Sequence, residues 1–147
     1  MGKLGLVALM GVMVASFVLV GGRGGQPQAT PEPAAQPQIM KKVTPGEAHD
    51  MIASNSGNPS FALLDVRTPE EYAEGHLANS AIVDYRSQSF ISQMDGLDRG
   101  KTYLIYCRTG NRSGKAQDVM KQLGFREVYD MTGGIVQWTE ENLSVVE

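Results

Sequence analysis

The sequence contains a single cysteine, Cys107, and only two histidines, His49 and His76, in 147 residues. One thiol cannot close a disulfide within the chain, so cysteine usage does not report the redox compartment. Any thiol chemistry must also find its second sulfur outside this chain. No cluster of His, Cys and carboxylates has metal-ligand spacing, so neither a metal nor another cofactor is expected. The basic residues form no stripe and the formal charge is −3. The electrostatic footprint of nucleic-acid binding is therefore missing, and no nucleic-acid partner is expected. No internal repeat is visible.

Charge is absent again from Leu4 to Gly22, nineteen residues flanked by Lys3 and Arg23. This run exceeds the usual signal-peptide core of about 7–15 residues and just reaches the length at which a membrane span becomes plausible, about 18. Residues 1–22 are accordingly read as a signal peptide or an N-terminal membrane anchor. Both readings predict an exported domain, periplasmic or otherwise extracytoplasmic, either soluble after cleavage or tethered to a membrane through residues 4–22. Residues 23–38 carry Pro27, Pro31, Pro33 and Pro37 among Gly and Gln. They have almost no large apolar side chain with which to offset chain entropy, and read as a linker. The folded domain is assigned to residues 39–147. A domain of about 105 residues can bury an adequate core.

Within that domain short apolar runs alternate with helical patterns. A strand from Ile39 to Val43 leads into Thr44-Pro45-Gly46-Glu47, which has the form of a capping box opening a helix to about Ala53. Phe61 to Val66 reads as a buried strand, and Thr68-Pro69-Glu70-Glu71 as a second capping box opening a short helix that stops by Gly75. Ala81 to Val83 is a third strand and Ser87 to Met94 a weak helix. Tyr103 to Tyr106 is the central strand, followed by helical spacing of Ala116, Val119, Met120 and Leu123 from a start at Ser113. Glu127 to Met131 supplies the last strand and Ile135 to Asn142 the last helix. The pattern predicts an α/β fold with a mostly parallel five-stranded sheet and helices on both faces. In such sheets ligands gather beyond the carboxyl ends of strands.

Cys107 sits at such an end, between a strand and a helix start. Free backbone N–H groups and the positive end of the helix dipole favour a thiolate there. Gly110 permits a positive φ, so that successive N–H groups can face the sulfur as an anion-binding nest. Arg108 and Arg112 add positive charge. An isolated cysteine is more often a structural core residue, but two arginines and a glycine immediately downstream argue for a nucleophile.

The stretch Cys107-Arg108-Thr109-Gly110-Asn111-Arg112 resembles the active loop of the rhodanese-like single-domain sulfurtransferases, in the form found in small thiosulfate sulfurtransferases. The resemblance runs over roughly residues 39 to 143. It includes Asp65-Val66-Arg67-Thr68-Pro69-Glu70-Glu71-Tyr72, Gly75-His76-Leu77-Ala78-Asn79-Ser80-Ala81 and Gly133-Gly134-Ile135-Val136-Gln137-Trp138. It implies a rhodanese-like fold, with Cys107 as catalytic nucleophile and Arg108, Thr109, Gly110, Asn111, Arg112 and Ser113 as the loop that binds substrate and persulfide. In this reading the Arg108 and Arg112 side chains attract the charged end of an anionic donor. Asp65 and Arg67 are expected to tie loops together, and His76 to be hydrogen-bonded and structural rather than a general base. The implied partners are a small sulfur donor such as thiosulfate and an acceptor such as cyanide, a small thiol or a protein cysteine. A module that only carries or senses sulfur is the alternative from outside enzymology. Cysteine phosphatases and arsenate reductases also place a thiolate in an arginine-closed loop, but theirs is one residue longer. The shorter loop here suits a sulfur atom better than a tetrahedral oxyanion.

Overall fold

The structure, a computed structural model, describes residues 37–147. The segment 1–22 and all but the last two residues of the 23–38 linker lie outside the described residues. Among the described residues no helix is long and apolar enough to cross a membrane.

Five strands build one sheet: β1 (Ile39–Val43), β2 (Phe61–Asp65), β3 (Ala81–Ile82), β4 (Thr102–Tyr106) and β5 (Glu127–Met131), in the spatial order β1-β5-β4-β2-β3. Every pairing is parallel. The helices α1 (Pro45–Ser54), α2 (Pro69–Ala73), α3 (Phe90–Asp95) and α4 (Asn111–Gln122) lie in the crossovers, and α5 (Gly134–Glu140) follows β5. The central strand β4 is almost wholly buried, because both of its faces are covered. Tyr103, Ile105 and Cys107 pack with Phe90 and Met94 of α3 and Ala116 and Met120 of α4. Leu104 and Tyr106 pack on the other face with Ala48 of α1 and Ile135 and Trp138 of α5. This two-sided burial is why β4 reads as a continuous apolar run rather than an alternating one.

The local chemistry sets the element ends. Thr44 and Thr68 both cap helices through complete capping boxes, with Glu47 and Glu71 returning to the cap N–H. Helix α4 begins at Asn111, two residues earlier than the apolar spacing suggests, because Gly110 takes the N-cap position at φ 90°. Helix α3 begins at Phe90 rather than Ser87, since the Ser87 hydroxyl accepts from the Ser89 N–H at 3.2 Å and holds a turn there. Helix α5 ends at Glu140, and Asn142 beyond it is left-handed at φ 59°. Gln38, assigned to the linker from sequence, donates to the carbonyls of Lys121 and Phe125 and so joins the fold.

Candidate active site

Cys107 follows β4 directly and its side chain is buried. Its Sγ accepts the Gly110 N–H at 3.1 Å and lies 3.5 Å from the Ser113 hydroxyl, which is itself buried. Two donors therefore converge on the sulfur at the first turn of α4, where the helix dipole also favours negative charge. Of the loop, Arg108, Thr109 and Asn111 are exposed, while Arg112 is half-buried. The left-handed Gly110 is what turns its N–H back onto Sγ.

The loop is held from behind by the start of α5. The Ile135 N–H donates to the Cys107 carbonyl at 2.9 Å and the Val136 N–H to the Arg108 carbonyl at 3.1 Å. This approach requires glycine at position 134. A Cβ there would meet the Cys107 carbonyl oxygen and come within 2.5 Å of the Arg108 carbonyl carbon, on a backbone at φ 60°. The Gly133-Gly134 pair is thus a site feature that the sequence reading used only as a family landmark.

The Arg112 side chain is engaged by a carboxylate from another helix. Its guanidinium grips Glu71 bidentately, at 2.6 and 2.7 Å. The expectation that Arg112 attracts the charged end of a donor therefore has to reckon with a guanidinium that is paired with Glu71. The Arg112 hydrogen bonds hold the Glu71 carboxyl down at about 2, against the opposing effect of burial. Glu71 also accepts the Thr68 N–H as the capping-box acid of α2. The cap is legible in the sequence, but the partner 41 residues away is not.

Asp65 and Arg67 form a second closed pair at the end of β2. Arg67 donates to both carboxylate oxygens of Asp65, at 2.7 to 3.0 Å, and to the Gly75 carbonyl at 2.7 Å. Burial works against the Arg67 charge, but Asp65 more than offsets it and raises the guanidinium pKa. His76 is half-buried, stacked on Tyr72 at 3.7 Å between ring centroids. Its Nδ1 lies 3.1 Å from the Tyr72 carbonyl, so Nδ1 is the donor in that contact. Its backbone pairs with Val146 in an isolated antiparallel bridge. Tyr106, on the opposite face of β4 from the thiol, accepts the Leu77 N–H, and burial pushes its phenol up.

Beside the loop, touching it at Arg108, lies a hollow of about 630 Å³. Its lining includes Arg67, Glu71, Glu74, Arg86, Arg108 and Ile135. No group of three His, Cys, Asp or Glu side chains is placed to hold a metal among the described residues.

A buried thiol at a strand end, with a glycine-capped helix beginning four residues later, also agrees with what the sequence matches. Residues 44–141 match the family described as the rhodanese-like domain. The chain belongs to the rhodanese-like family. This rhodanese-like chain is 32% identical over 109 residues to the thiosulfate sulfurtransferase GlpE of Stutzerimonas stutzeri, a match that covers 74% of this chain and 93% of that one. It is also 32% identical over 111 residues to the probable adenylyltransferase/sulfurtransferase MoeZ of Mycobacterium tuberculosis, but spans only 27% of that protein's length. Among solved structures, the rhodanese-related protein from Thermoplasma volcanium has a TM-score of 0.60 at 31% identity, covering 72% of this chain and 97% of that one.

Proposed function

We propose that this rhodanese-like domain is a sulfurtransferase that passes sulfane sulfur from thiosulfate, or a similar anionic donor, to a thiophilic acceptor through a persulfide on Cys107. The observation that carries this reading is the sulfur's setting. Sγ is held at the carboxyl end of β4 by the Gly110 N–H and the Ser113 hydroxyl, at the positive end of α4. Those donors stabilise a charged sulfur, whether thiolate or terminal persulfide.

In the first half-reaction the Cys107 thiolate attacks the outer sulfur of thiosulfate. A new S–S bond forms, the donor's S–S bond breaks, and the bonding pair leaves with sulfite. In the second, cyanide or a thiolate attacks the outer sulfur of the persulfide, releasing thiocyanate or a new persulfide and restoring the Cys107 thiolate. No proton or electron is left over in either half. The acceptor comes from outside the chain, since Cys107 is its only cysteine. GlpE and the plastid thiosulfate sulfurtransferase 16 of Arabidopsis thaliana, of which 96% is covered at 28% identity, support the enzymatic reading. MoeZ and the yeast adenylyltransferase and sulfurtransferase uba4 support a second one, in which the acceptor is a protein. We further propose that the domain acts outside the cytoplasm, on the strength of the uncharged Leu4–Gly22 run.

Intact-mass analysis before and after thiosulfate, followed by cyanide, tests the reaction. The expected outcome is gain of one sulfur atom, lost on cyanide with catalytic release of thiocyanate, and neither event in Cys107→Ser. Turnover by Cys107→Ser would overturn the nucleophile. A sulfur adduct that cyanide does not discharge catalytically would favour the carrier reading.

A further inference from the structure

Three arginines, Arg67, Arg86 and Arg108, line the hollow and a fourth, Arg112, holds Glu71 on its lining; two of the four are already matched. Arg67 is closed on Asp65 and Arg112 on Glu71, each through two hydrogen bonds or more. A bidentate guanidinium–carboxylate pair has little charge left to offer an incoming anion. Arg86 and Arg108 differ from these. Both are exposed, and neither has a carboxylate partner among the described residues. They come from separate parts of the chain, Arg86 from the connection between β3 and α3 and Arg108 from the active loop next to Cys107, yet both line the same hollow. Arg86 lies outside every motif that identifies the family in this sequence. Of the remaining charges on that lining, Glu71 is bound to Arg112, whereas Glu74 is an exposed carboxylate without a cationic partner among the described residues.

We propose that Arg86 is the specificity-determining residue for the anionic sulfur donor, acting across the hollow from Arg108, with Glu74 opposing it. The inference rests on the sulfurtransferase reading and gives it a substrate class. The preferred donors carry their negative charge at the end remote from the transferable sulfur, and a dianion such as thiosulfate gains more from the pair than a monoanionic thiosulfonate. Arg86 binds the donor and takes no part in bond making.

The first measurement is steady-state turnover with cyanide as acceptor, using thiosulfate and a monoanionic thiosulfonate as donors. Arg86→Gln is expected to raise the thiosulfate KM roughly threefold to tenfold, the range for losing one partly exposed charge contact, with kcat little changed. The thiosulfonate KM should rise less. Glu74→Gln should lower the thiosulfate KM. Arg126→Gln, an exposed arginine at the start of β5, controls for overall charge and should leave both constants alone. An unchanged thiosulfate KM in Arg86→Gln overturns the assignment, as does an equal rise for both donors or an equal effect of Arg126→Gln.

The second measurement does not depend on turnover. Thiosulfate added to Cys107→Ser, which cannot be sulfurated at that position, should raise its melting temperature. Adding Arg86→Gln should remove most of that rise, while Arg126→Gln preserves it. If no donor is turned over but the rise still depends on Arg86, the reaction is wrong and the anion site stands. If donors are turned over and the rise ignores Arg86, the reaction stands and the assignment of Arg86 falls.

Discussion

At the scale of single residues the site is organised by charge pairs that are already closed. Glu71 serves three groups at once: it caps α2, it takes both guanidinium hydrogen bonds of Arg112, and it lines the mouth of the hollow. Its carboxyl titrates at about 2 in the folded domain against an ordinary value of 4.5. A carboxyl depressed by folding stabilises the native state fully above its unfolded value and loses that contribution as pH falls through the folded one. The melting temperature should therefore fall between pH 4.5 and 2 partly through this group. In Glu71→Gln the domain should melt lower than wild type at neutral pH, and the two curves should converge towards pH 2. Melting curves at half-unit pH steps check this, and a gap that stays constant through the acid range would remove Glu71 from the account.

At the scale of elements the constraint is the packing of the start of α5 against the active loop. Gly134 holds φ 60° with its α-carbon against the Cys107–Arg108 backbone. The obstructing atoms belong to main chain, so they cannot swing aside as a side chain would. Gly134→Ala is expected to cost about 1–3 kcal/mol, the usual penalty for a strained backbone position, and to weaken sulfur transfer more than stability alone explains. Thiocyanate assays well below the melting temperature separate the two effects, and wild-type rates there would show that the loop tolerates displacement. The elements themselves were legible where their signals are local. The two Thr-Pro-x-Glu boxes, the apolar run of β4 and the glycine before α4 each name an element from a few neighbouring residues. What stayed hidden depends on distant pairing. The Arg112 partner lies on another helix, Arg86 reaches the mouth only through the β3–α3 connection, and the contact that demands Gly134 is made by a loop well before it in sequence. The start of α3 differs from its sequence pattern for a local reason, since serine hydroxyls compete with a helix for the backbone N–H groups.

At the scale of the whole molecule the parallel sheet puts every strand's carboxyl end on one side, and the charge pairs and the thiol collect there. Asp65 ends β2, Cys107 follows β4, and the glycine pair that braces the loop follows β5. The two apolar clusters that support this edge draw all their buried members from between Val43 and Trp138. Both faces of the sheet are covered by helices within that span, and Gln38 fastens the start of β1 to the end of α4. A core so contained should fold without the uncharged Leu4–Gly22 run. Residues 37–147 alone are expected to melt in one cooperative transition and to release thiocyanate with the kcat and thiosulfate KM of the full chain. Calorimetry and the same assay on both chains provide the check. A broad, non-cooperative melt of residues 37–147, or a kcat that falls severalfold when the preceding segment is removed, would mean that the domain draws structure or substrate binding from outside these two clusters.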